Sequence, residues 1–197
     1  DSTAGDGQNE QQLAESRRKV DSIQTVIAQH PRDTAAYLSL AEAAYDGNNW
    51  PVATKAFQTY LGLNPYDGEA RVGYAVTLAQ STQDMELGLV QIDSVLLFKP
   101  DHLDALINGG IIAAQAINDS NHREALARAQ RYFERAKAVA IKRDTAVAAR
   151  IDKLLEQIKR TGERGAGQHL AGGTFGTHVP VEQDQGIDVL GHHLQVV

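Results

Sequence analysis

The chain has no cysteine, one methionine and one tryptophan among its 197 residues, and only five prolines. Without cysteine there is no disulfide, no thiolate metal site, no cysteine nucleophile and no C-x-x-C-H haem attachment. The redox compartment leaves no trace either. Aromatics are scarce where the basic residues concentrate: residues 120–160 hold only Tyr132 and Phe133, and Phe133 belongs to the core pattern, so nucleic acid is not expected. No run of 18 or more apolar residues occurs, so no transmembrane helix is predicted. G-x-S-x-G, H-E-x-x-H and G-x-x-x-x-G-K-S/T are all missing. These absences predict a non-enzyme with no catalytic residues, no metal, no cofactor and no small-molecule substrate.

What is present is periodic. The stretch HPRDTAAYLSLAEAAYDGNNWPVATKAFQTYLGLNP, residues 30–65, holds two helical patterns separated by DGNN. Ala36, Tyr37, Leu40, Ala41 and Ala44 space the first; Val52, Ala53, Ala56, Phe57, Tyr60 and Leu61 space the second. Asn48 suits a left-handed turn residue and Asn49 a helix cap, with Trp50 and Pro51 in the first turn that follows. Pro31 to Pro65 is 34 residues and Pro65 to Pro100 is 35. A helical hairpin repeated at that interval cannot bury its own apolar face, so neighbouring hairpins must stack.

Hydrophobic residues at 42% and charged residues at 22% fit a chain that folds as a globular or solenoid domain. The net charge of −6 is unevenly spread. Residues 1–119 carry 7 basic and 16 acidic side chains, a net of −9; residues 120–160 carry 11 and 5, a net of +6. Residue 1 is Asp, so the reading expects residues removed before it, as a cleaved signal or a chain boundary.

In chain order, residues 1–9 are polar and small and are predicted disordered. A helix is predicted from Glu10 to His30 on the stripe Leu13, Val20, Ile23, Val26 and Ile27, as half a repeat covering the first full one. The second repeat has Tyr74, Ala75 and Leu78, then Leu87, Gly88, Ile92 and Val95, with an extra residue in STQD. The third begins near His102 with Leu106, Gly109, Gly110 and Ala113. Its turn is long, with Asn118, Asp119, Ser120 or Asn121 as caps for a helix bearing Ala129, Phe133 and Ala136. A last helix is predicted over 144–160 on Val147, Ile151, Leu154, Leu155 and Ile158. Residues 161–197 hold a Gly-rich linker and an apolar segment, 179–197, predicted to dock in extended form on the repeats or on a neighbouring subunit. His169, His178, His192 and His193 in that tail read as solvated side chains, since the adjacent pair points to opposite faces of a strand.

The repeat resembles the tetratricopeptide family. Tyr37, Leu40, Ala41, Ala44, Ala53, Phe57 and Pro65 fall on its signature positions, while Tyr60, Arg71 and Gly88 depart from them. The resemblance implies an all-α, right-handed helical-hairpin solenoid over residues 10–160 with a C-terminal capping helix. It also implies a concave groove lined by the first helix of each hairpin. In that register the groove holds Leu38, Glu42 and Tyr45, then Glu69, Val72, Val76 and Ala79, then Asp104, Ile107, Ile111 and Gln115. Leu38, Val72, Val76, Ile107 and Ile111 make it an apolar strip, which suits an apolar peptide or an amphipathic helix. The Lys/Asn carboxylate clamp of some members is missing. The basic segment offers a second surface with Arg123, Arg128, Arg131, Arg135, Arg150 and Lys153, either a solvated outer face or a dock for an anionic membrane surface, an acidic partner or a membrane-associated complex.

A half repeat, two clear repeats, a longer third and a capping helix together resemble the repeat domain of bacterial cytochrome c maturation factors. These are haem-lyase accessory proteins that hold the C-terminal helix of an apocytochrome. The stretches VIAQHPRDTAAYLSLAEAAY, FQTYLGLNPYDGEARVGYAVTLAQST and AARIDKLLEQIK carry the resemblance. The expected function is therefore a protein-binding assembly module, periplasmic or on the soluble face of a membrane, with the cytoplasm also open. The rival is a structural subunit of a larger membrane-associated complex. No nucleic acid is expected as a partner.

Overall fold

The structure is a computed structural model describing residues 3–117 and 121–169, with side chains described for 10–117 and 121–162. Among the described residues the chain is all-α, with eight helices and no strand. They are α1 (Thr3–Gln29), α2 (Thr34–Asp46), α3 (Trp50–Leu63), α4 (Gly68–Thr82), α5 (Met85–Phe98), α6 (Leu103–Gln115), α7 (His122–Ala140) and α8 (Thr145–His169). The chain divides into two compact units, Asp1–Asp84 and Met85–Val197.

Three helices open by the same device. Asp33, Asp67 and His102 cap α2, α4 and α6 in extended conformation, with φ of −72°, −73° and −71°. Each side chain accepts from the N–H of an alanine three residues on: Ala36 at 3.1 Å, Ala70 at 3.0 Å and Ala105 at 3.4 Å. Each satisfies a donor that the helix itself cannot. Before each cap the same turn closes, with the cap N–H donating to His30, Asn64 or Lys99 carbonyl. The second residue of each turn is a proline whose carbonyl also accepts. Tyr37 Oη reaches Pro31 at 3.2 Å and Arg71 Nη2 reaches Pro65 at 2.6 Å, both six residues on. The corresponding third position is Leu106, whose side chain has no donor. Arg135 of α7 supplies it instead, at 3.0 Å from the Pro100 carbonyl.

The second helices repeat as well. The small residues Ala53, Gly88 and Ala129 are buried, and four positions later so are the large residues Phe57, Ile92 and Phe133. In the first unit α1 packs on α2, α2 on α3 and α3 on α4. Val20, Leu40, Phe57 and Leu61 meet there with a set of alanines. Ser16 is buried in α1, and a Cβ on Gly47 would stand 3.0 Å from its Cβ, so a side chain there would have to displace α1 by a few tenths of an ångström. Tyr60 donates to Asp67 at 2.8 Å.

In the second unit α5 packs on α6, α6 on α7 and α7 on α8. The paired glycines set the α6–α7 approach: a Cβ on Gly110 would lie 2.5 Å from the Phe133 ring, and one on Gly109 2.9 Å from Ile92 and Tyr132.

Several local expectations differ from what is observed. Helix α1 starts at Thr3 instead of Glu10, and α8 runs on to His169, because extending a formed helix costs little once its apolar stripe is anchored. Asn49 and Asn121 stand at N-cap positions, but neither side chain caps; Asn121 donates to the Ala116 carbonyl at 2.9 Å. The cap of α8 is Asp144, which accepts from Ala146 and Val147. Val26 and Leu87, placed on apolar stripes by the sequence, are exposed. Asn48 has the expected left-handed conformation, φ 53°, and Gln83 takes it at the end of α4, φ 57°. Asn118, Asp119, Ser120 and the tail segment 179–197 lie outside the described residues.

Candidate partner-binding surfaces

Within the first unit α2 packs on α1 and α3 and α4 packs on α3, and within the second α6 packs on α5 and α7. On α2, Leu38, Glu42 and Tyr45 recur at intervals of four and three and so share a face. All three are half-buried, and Leu38 and Tyr45 pack at the margin of the first unit's core. The Tyr45 ring stands edge-on to Trp50, centroids 5.5 Å apart. On α4 the equivalent residues Val72, Val76 and Ala79 are buried, while Glu69 at the start of the helix is exposed.

In the second unit the corresponding helix is α6. Ile107 is buried, and Asp104, Ile111 and Gln115 are half-buried. Asn108 is buried between them and donates to the Asp104 carbonyl at 2.9 Å. The strip that the sequence draws as one open apolar line is thus covered at Val72, Val76 and Ile107. It reaches solvent in part at Leu38 and Ile111.

The basic residues have a different arrangement from a free cationic face. Arg128 of α7 lies against α5 and donates to both oxygens of Glu86, at 2.9 and 2.8 Å, and to Asp93 at 3.3 Å. Tyr132, one turn further, donates to the other oxygen of Asp93. Burial, and then that hydrogen bond to a carboxylate, hold the Tyr132 phenol well above its ordinary pKa. Burial works to lower the pKa of Arg128, but its hydrogen bond to Glu86 and its attraction to Tyr132 and Glu86 outweigh it and raise the pKa. The ladder continues with Arg135 on the Pro100 carbonyl. Lys137 pairs with Asp152 of α8 at 2.6 Å. Arg123, Arg131 and Lys153 are exposed, and Arg150 is half-buried. Beyond Arg135 an open hollow of about 220 Å3 is lined by Pro100, Asp101, Leu106, Val139, Lys142 and Arg143 among others.

Sequence reasoning missed the α5–α7 ladder. Arg128 takes both Glu86 and Asp93, 42 and 35 residues away, and no local spacing in the sequence signals that pairing. It also missed the outward side of α5. Leu87, Val90, Leu97 and Phe98 are 45%, 55%, 77% and 76% exposed.

None of the described helices is long and apolar enough to cross a membrane. Compared with known protein families, curated proteins and solved structures, the chain matches none.

Proposed function

We propose that the chain is a non-enzymatic protein-binding module of the tetratricopeptide type. In this reading the hairpins form a right-handed solenoid with α8 as its capping helix, and the first helices hold an apolar peptide or amphipathic helix of a partner. One observation carries it: the same proline–turn–cap device opens α2, α4 and α6 at intervals of 34 and 35 residues. Hairpins built to one plan would bury their apolar faces by stacking and leave a surface for a partner. In the first unit buried Val72, Val76 and Ala79 accompany the half-buried contact residues Leu38, Glu42 and Tyr45, and in the second buried Ile107 accompanies the half-buried contact residues Ile111 and Gln115. A periplasmic role in cytochrome c assembly is the sharper form, in which the ligand is the C-terminal helix of an apocytochrome.

The test uses fluorescence anisotropy with labelled amphipathic helical peptides, an apocytochrome c C-terminal helix among them. Leu38→Asp and Ile111→Asp should each weaken binding at least about tenfold while the melting temperature moves little. Unchanged affinity in both variants would sink the reading. The rival, a structural subunit docked by its basic residues, predicts instead that Arg123→Glu and Lys153→Glu abolish partner association.

A further inference from the structure

The turns at one end of the second unit gather three cations around the hollow of about 220 Å3. Arg135 and Val139 reach it from the end of α7, Lys142 and Arg143 from the α7–α8 turn, and Asp101 and Leu106 from the start of α6. Arg135 is held there by its bond to the Pro100 carbonyl. Among the described residues, no ion pair or side-chain hydrogen bond occupies Lys142 or Arg143. Asp101 is the single acid in the lining. One cation would offset the carbonyl end of α7; three around one hollow leave a surplus of positive charge. Such a hollow, with an apolar floor, concentrates anions.

We propose that this hollow holds the chain's own acidic segment, residues 182–188. This goes beyond the peptide-binding reading and uses none of its contact residues. The first argument is charge. Residues 170–197 contain Glu182, Asp184 and Asp188 and no lysine or arginine, so no fixed positive charge in them opposes the three cations. Val181 and Ile187 flank these acids, and they match Leu106 and Val139 in the lining. The second argument is reach. Helix α8 begins beside the hollow at Thr145 and runs 25 residues to His169, about 37 Å at 1.5 Å per residue. The chain must return that far. Glu182 lies 13 residues past His169 and spans at most about 43 Å at 3.3 Å per residue, while Asp188, 19 residues past it, spans about 63 Å. The carboxylates thus start where the chain first becomes long enough to come back. A partner's acidic segment fits less well, because it must compete with one tethered to the same chain at high effective concentration.

Zero-length carbodiimide cross-linking of the full chain, read by peptide mass spectrometry, tests this. The reagent joins a lysine amine to a carboxylate in direct contact. Lys142 is the one lysine in the lining. Lys153 and Lys159 are exposed and lie nearer the end of α8, so a segment without a site would join to them first. The expected result is that Glu182, Asp184 or Asp188 joins Lys142 in preference to Lys153 and Lys159, with a yield independent of protein concentration. Arg143→Glu should cut the Lys142 product about tenfold, with melting unchanged because that side chain is exposed. Products that favour Lys153 and Lys159, or a Lys142 product undiminished in Arg143→Glu, overturn the proposal. So does a mixture of isotope-labelled and unlabelled chains in which the products join different chains, since the occupant would then be the segment of a second copy.

Discussion

Tyr132 shows how much one phenol can do at a helix contact. It fills the space beside Gly109 and spends its proton on Asp93. Its pKa is raised in the folded chain above the unfolded value near 10. The stabilisation is therefore fully present below about pH 10 and is lost as pH rises toward the folded pKa. Tyr132→Phe should cost about 1.5 kcal/mol near neutrality, the low end for a bond to a charged group because Asp93 is half in solvent. Urea melts from pH 8 to 11 should show that difference shrink above about pH 10; a constant difference would mean the hydrogen bond is not what stabilises. Glycine gives a second contrast. Gly110→Ala should destabilise by about 1–3 kcal/mol despite better helix propensity, because its Cβ would enter the Phe133 ring. Gly62→Ala, with nothing within 4 Å, should stabilise by roughly 0.5–1 kcal/mol. Chemical denaturation of both variants checks the signs. That Gly109 and Gly110 permit close approach was legible from the pair itself. Which side chain fills the space was not, because Phe133 is 23 residues away.

At the scale of the helix, periodicity revealed the elements and left their covered faces ambiguous. Ala53 with Phe57 and Ala129 with Phe133 were readable because one small and one large residue recur at a fixed offset. Val72, Val76 and Ile107 were read as an open strip, yet they are buried. An apolar residue looks the same in a sequence whether a partner or the chain itself covers it. The reverse happened on α5, where Leu87 was placed with the buried set and its outward neighbours went unremarked. Val76→Asp therefore belongs with core substitutions and should cost upward of about 3 kcal/mol by burying an unpaired charge. Thermal melting decides it, and a shift of only a degree or two would place Val76 back at an accessible surface. The Arg128 ladder escaped the sequence for another reason. Its partners are 42 and 35 residues away, and charge counting along the chain cannot see across helices.

The chain divides into two compact units, so damage should stay within the unit that is struck. Phe57→Ala and Phe133→Ala should each cost about 3–5 kcal/mol, since both rings are fully enclosed. Hydrogen exchange should speed up mainly within residues 10–84 for the first and within 85–162 for the second. Equal acceleration throughout in both variants would show one indivisible cooperative unit.

The three prolines add a kinetic consequence. The carbonyls of Pro31 and Pro65 are secured from six residues away, by the first turn of the helix that follows. The carbonyl of Pro100 is secured from 35 residues away, after the chain has run the length of α6 and returned along α7. Closing the longer loop costs more chain entropy and needs two helices already formed. On refolding, the bonds to the Pro31 and Pro65 carbonyls can thus form as soon as α2 and α4 nucleate. The bond to the Pro100 carbonyl waits for α7 to pack on α6, and on unfolding it is lost when α7 leaves.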